Sequence, residues 1–177
     1  MITKMQSKQD IHEALLSVFE ELDVYLKTVD DSGFLKKVNG KWSIAQNIDH
    51  LTISNFVTTL SLNTPKMVLK QAFGTSKRAA WNYDEVVWRY QRSLNAGASA
   101  SLPFQPKLSI VPVRKLVERL WQSSGTILLK TIDRWSEEDL DTYVIPHPII
   151  GKITVRELLF FTIYHLHHHL RTIKAIK

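Results

Sequence analysis

Apolar residues recur along most of this chain at helical rather than strand spacing. From Lys8 to Val29, the positions Ile11, Leu15, Val18, Phe19, Leu22 and Leu26 fall on one face, and "DDSG" closes the run. A second stripe opens at "KWSIAQNIDHL", where Ser43 and Gln46 form a capping box that satisfies free backbone N–H groups at the helix start. Ile44, Ile48, Leu51, Asn55, Thr58 and Leu62 continue it, and Pro65 follows the predicted end. The stretch "FGTSKRAAWNYDEVVWRYQRSLNAG" is less regular, with a helix predicted around Asp84 to Leu94, and "NAGASASLPFQP" has the small residues of a loop. A third long helix is predicted from near Pro112 to about Trp135, with Val113, Leu116, Val117, Leu120, Ile127 and Leu128 inward and Gly125 as its weak point. "SEEDLD" fits one turn of helix, and "YVIPHPIIGK" is extended because residues before prolines avoid helix. Thr154 and Glu157 form a second capping box at the start of the last helix. The pattern predicts an all-α chain: one domain over residues 1–177, a four-helix bundle with an irregular insertion between the second and third long helices.

Composition narrows the chemistry. With 177 residues, 44% apolar and 23% charged, the chain can bury a sizeable core. It has no cysteine, which excludes disulfides, thiolate metal sites and a cysteine nucleophile. "MITKMQSKQDIHEALL" has no apolar signal core and no apolar run approaches a membrane span, so a cytoplasmic protein without a membrane partner is expected. The net charge of +6 is spread along the sequence, which fits a basic solvated surface. No nucleic-acid motif accompanies it, so a nucleic-acid partner is not expected; attraction of a small anionic substrate is the functional alternative.

The last helix, "ELLFFTIYHLHHHLRTIKAIK", carries four histidines within five residues. At about 100° per residue, His169 lies about 40° from His165, on the side that also carries Leu158, Thr162 and Ile173. His167 falls on the opposite, solvent face, and His168 at an edge. Histidines at i and i+4 stack on one helix face and can share a divalent cation, but such a site needs a further ligand. His12, His50, His147 and the carboxylates are candidates. His50 is the best placed, on the inner edge of the second long helix, whereas His12 reads as solvated and His147 as a turn residue. Half-buried histidines are commonly just hydrogen-bonded in place, and spacing alone leaves that reading and the ligand reading level.

"KWSIAQNIDHL", "NYDEVVWRYQRSL", "SEEDLD" and above all "PHPIIGKITVRELLFFTIYHLHHHL" resemble the DinB/YfiT-like superfamily of metal-dependent four-helix bundles. The likeness covers most of the chain. It implies a metal triad of one histidine from the second long helix and two from the last, which by motif are His50, His165 and His169. His147, Glu157, Tyr164 and His168 are expected at the pocket or behind the ligands, and Asp49 or Gln46 could also accept the outer N–H of a ligand imidazole.

Three imidazoles leave at least one coordination position open, as catalytic sites do. All-nitrogen ligation favours zinc, nickel or copper over magnesium or calcium. Zinc or nickel is expected first, with manganese or iron after them. The resemblance implies a small-molecule substrate and an enzyme that either transfers a low-molecular-weight thiol of bacillithiol type (an S-transferase) or hydrolyses its substrate. The alternative is a non-catalytic bundle with structural histidines that acts by dimerisation, as a homodimer, or by binding a partner.

Overall fold

The computed structural model describes residues 5–107 and 114–176. Helix α1 (Lys8–Lys27) buries all six residues of its predicted stripe and is capped by Ser7 and Asp10. It ends two residues short of the predicted Val29, and "DDSG" enters a short helix of its own, α2 (Asp31–Leu35). Helix α3 (Ile44–Asn63) starts at the Ser43–Gln46 capping box. The irregular stretch that follows holds α4 (Lys66–Phe73), which the sequence pattern did not predict, and α5 (Tyr83–Asn95), which it did. The predicted loop contains a short 3-10 turn at Leu102–Phe104.

Helix α6 is described from Arg114 to Ile132, so the predicted start near Pro112 and the inward Val113 lie outside the described residues. Its inner face differs from the predicted one. Val117 and Leu128 are buried, but Leu116, Leu120 and Ile127 are exposed. Trp121, Ser124, Gly125, Thr131 and Ile132 point inward instead. Small residues allow the close approach to α3, where Asn55 Nδ2 donates to Ser124 Oγ at 3.1 Å. Gly125 serves the contact with α1: a Cβ there would stand 3.3 Å from the Phe19 ring.

"SEEDLD" forms α7 (Glu137–Thr142), and "YVIPHPIIGK" forms an antiparallel hairpin, β1 (Val144–His147) and β2 (Gly151–Thr154). Gly151, at φ 79°, takes the left-handed conformation at the end of its turn. Helix α8 (Val155–Lys174) opens at the predicted Thr154–Glu157 box.

Helices α1, α3, α6 and α8 form the bundle. α1 packs on α6 and α8, and α3 packs on the same two. The consecutive long helices α1 and α3 therefore face each other across a diagonal, so the chain does not follow an up-down-up-down path between neighbours. α8 also meets α5, α7 and the hairpin, and 15 of its residues are buried around its whole circumference. Among the described residues, no helix is long and apolar enough to cross a membrane.

Candidate metal centre

Three imidazoles converge where α3 meets α8. His50, His165 and His169 are 4%, 5% and 8% exposed. Their ring centroids lie 4.7 to 4.9 Å apart, a nearly equilateral arrangement. His50 Nε2 stands 3.0 Å from His165 Nε2. Two nitrogens at tetrahedral angles on a zinc-sized ion would be about 3.3 Å apart, close to this spacing, and the ligand atoms of all three residues lie within 4.8 Å of one another.

The outer nitrogens of two of these rings are held. His50 Nδ1 lies 2.5 Å from the carbonyl oxygen of Phe104, and His169 Nδ1 lies 2.7 Å from Asn47 Oδ1. The orientation of the Asn47 amide follows from its other contacts: Nδ2 donates to the carbonyls of Ser43 at 2.9 Å and Trp42 at 3.3 Å, which leaves Oδ1 as the end facing His169. Both Nδ1 atoms therefore carry the proton, and the Nε2 lone pairs of His50 and His169 are left for the interior. Burial holds all three imidazoles below their ordinary pKa, those of His165 and His169 well below, and each is further depressed by neighbouring histidines. All three are neutral near pH 7, the state in which imidazole binds a metal.

Trp42 covers the trio from the side, parallel to His169 at 6.3 Å and tilted against His50 at 5.1 Å. A cavity of about 240 Å3 reaches His50, His165 and His169. Its walls come from α3, α5, the 100–104 turn, the hairpin and α8, with Val57, Leu94, Phe104, Ile145, Leu158 and Phe161 among them.

The other expected site residues are distributed as follows. His168 is half-buried and lines the cavity. His147 also lines it, from the end of β1, with its ring 4.2 Å from that of Phe161. Burial pushes the His147 pKa down to about 4. Tyr164 is not part of the wall; its hydroxyl accepts from Gln91 Nε2 at 2.9 Å. Glu157 is fully buried, and its carboxylate accepts from Arg78 (2.5 and 2.9 Å), Trp81 N (2.6 Å) and Thr154 N (2.8 Å), so it anchors the start of α8 and does not reach the imidazoles. Asp49 accepts from Lys107 N at 2.7 Å, and the Gln46 side-chain oxygen accepts from Ser43 N at 3.1 Å. The acceptors behind His50 and His169 are thus Phe104 and Asn47. His167, predicted to face solvent, is half-buried and shares its face with the exposed Arg171 and Lys174. His12 lies 3.8 Å from Asp133 and does not belong to the cluster.

Asn47 left only a faint trace in the sequence: an amide three positions before His50, on a helix whose buried face also carries Thr52, Asn55, Thr58 and Thr59. The Phe104 contact left none, because a main-chain carbonyl has no residue signature.

A comparison with curated proteins returns no match. Among solved structures, YfiT from Bacillus subtilis, described as a probable metal-dependent hydrolase with an unusual four-helix bundle topology, superposes with a TM-score of 0.63 at 17% identity, over 98% of this chain and 87% of that one. The four-helix bundle protein TT2238 gives 0.62 at 15% identity, over 96% and 99%. The colibactin self-resistance protein ClbS, solved with a dsDNA, gives 0.48 at 13% identity, over 96% and 94%. At these identities the likeness is one of fold. The family model of the DinB superfamily matches residues 13–173, and the chain accordingly belongs to the DinB superfamily.

Proposed function

We propose that this protein is a metal-dependent hydrolase in which His50, His165 and His169 hold one divalent transition-metal ion, zinc or nickel before manganese or iron. The observation that carries this reading is the convergence of three buried, neutral imidazoles, two of them with their outer N–H groups already committed, at a cavity. The donor set suits such an ion: three nitrogens and no carboxylate favour a borderline transition metal and leave a coordination position open. When bound, the ion would supply Lewis acidity toward a carbonyl or a water. The chain's own contribution is orientation. Phe104 and Asn47 hold the rings, Trp42 shields them, and the apolar wall limits water around a bound substrate.

YfiT, with the same fold, is described as a probable metal-dependent hydrolase, which accords with this assignment. Transfer of a carboxylate-bearing thiol of bacillithiol type would use the same three ligands. Among the described residues, however, no lysine or arginine lines the cavity, so the carboxylates of such a thiol find no cationic side chain there. Hydrolysis is therefore the better supported activity.

The test is elemental analysis of untagged protein, wild type against the His165→Ala/His169→Ala double variant, followed by an ester and amide screen of the metal-loaded wild type. About one equivalent of metal, lost in the double variant, is expected. Sub-stoichiometric metal that the double change leaves unaltered would overturn the site.

A further inference from the structure

His147 differs from the three clustered histidines in how its proton is placed. Its Nδ1 accepts two backbone N–H groups of its own turn, from Ile149 at 3.2 Å and Ile150 at 3.3 Å. An atom that accepts cannot carry the proton, so the ring is the Nε2–H tautomer. Pro146 and Pro148 on either side restrict the backbone that sets up this turn. Phe161 packs against the ring and fixes its plane. Nε2 makes no hydrogen bond with any described residue, while the ring lines the cavity.

The wall includes further donors, the hydroxyls of Thr58, Tyr90 and Ser101 and the indole N–H of Trp42; hydroxyl protons rotate freely, whereas the direction of His147 Nε2–H is fixed by its turn. Ser54 and Ser61 give their hydroxyl protons to carbonyls of their own helix, at 2.9 Å each. Nothing among the described residues fixes the tautomer of His168. Among those residues no Asp, Glu, Lys or Arg lines the cavity, and Leu94, Phe104, Leu158, Phe161 and the rings of Trp42 and Tyr90 make its surface mainly apolar. Away from the three clustered imidazoles a charged group would lose hydration without a countercharge from the wall, whereas an apolar ligand with one acceptor would find in His147 a donor of fixed direction.

We propose that the cavity takes an uncharged, mainly apolar substrate bearing a carbonyl-type acceptor, and that His147 Nε2–H is the group that binds this acceptor. The proposal rests on the hydrolase reading for its placement beside a reaction centre and gives that reading a substrate class. His147 acts as a neutral donor: it orients the substrate and sets specificity, and it transfers no proton.

Two measurements test it. Long-range 15N–1H correlation spectra of the wild type report the tautomer directly; Nε2–H is expected for His147, and an Nδ1–H ring would overturn the proposal. NMR titrations then compare acetophenone with α-methylstyrene, which has the same shape but replaces the carbonyl oxygen with a methylene. Wild type should prefer acetophenone by about five- to tenfold. In His147→Asn, whose side-chain oxygen can still accept from the turn, the preference should disappear. In His165→Ala/His169→Ala it should persist. A preference that survives His147→Asn, or that vanishes only in the double variant, assigns the acceptor to another group and overturns the proposal. The two ideas fail separately: wild type found without metal but with a His147-dependent preference loses the hydrolase reading and keeps the binding role.

Discussion

Replacing Asn47 by alanine tests whether the shell behind the imidazoles sets metal affinity. In the native protein Asn47 Oδ1 keeps the His169 proton on Nδ1, and the two carbonyls that receive Nδ2 keep the amide from turning over. Without that oxygen, His169 has two courses. It can leave Nδ1–H unpaired in a site where Asn47 is 1% exposed, at a cost of about 1–3 kcal/mol. Or it can move the proton to Nε2, the atom that would ligate the metal, and then binding must reverse that shift. Either course lowers affinity while all three candidate ligands remain. Removal of such partners typically costs about 10- to 100-fold in metal affinity, or about 1.4–2.7 kcal/mol. The assay is competition for zinc against a chromophoric chelator at fixed pH, with circular dichroism to establish folding. Asn47→Asp serves as the comparison: it keeps an acceptor for His169 but turns a carboxylate toward the Ser43 carbonyl, so its affinity should lie between wild type and Asn47→Ala. A folded Asn47→Ala protein that binds zinc within about twofold of wild type would refute the claim that this amide tunes the site.

Two further outcomes are expected. The native pKa of His147, about 4, lies below the ordinary imidazole value of 6.5, so its neutral form contributes stability that is full above pH 6.5 and is lost as pH falls toward 4. The stability gap between wild type and His147→Asn should therefore narrow over that window, by at most about 1.4 kcal/mol per pH unit, in urea denaturation; a gap that widens toward acid contradicts the burial of a neutral ring. Glu157→Ala removes a capping partner and leaves Trp81 N without its acceptor, while the partly exposed Arg78 can turn to water. A loss of about 2–3 kcal/mol is expected in the same assay, and a loss below about 0.5 kcal/mol would show that Glu157 does not anchor α8.

Much of the fold was legible because local and tertiary preferences agree. In α1 the apolar stripe and the buried stripe coincide, and the Ser43 and Thr154 boxes both mark true helix starts. The agreement fails where a helix has unusual neighbours. α6 turns Ser124 toward α3 and Trp121 and Gly125 onto Phe19 of α1, and leaves Leu116, Leu120 and Ile127 exposed, because fit to two neighbours rather than hydrophobicity alone sets its inner face. α8 touches elements on every side over its first turns, so the wet face that the wheel expects appears only in its last turns, at Arg171 and Lys174, with His167 half-buried at its start. At the site, the spacing of His165 and His169 could be read from helical period, and His50 from its place on the neighbouring stripe. The groups behind them could not, since one is a main-chain carbonyl and the other an amide whose role depends on which way it is turned.

The cavity has a division of labour with an evolutionary consequence. Its floor is set by three side chains on two core helices, where a shift of register would disturb the packing of the whole bundle. Part of its roof comes from connections, the 100–104 turn and the Pro-flanked hairpin turn, which lie between helices rather than within them. Connections accept insertions and substitutions that core helices do not. Such a scaffold can exchange one substrate for another by rebuilding its connections while the reaction centre stays where it is.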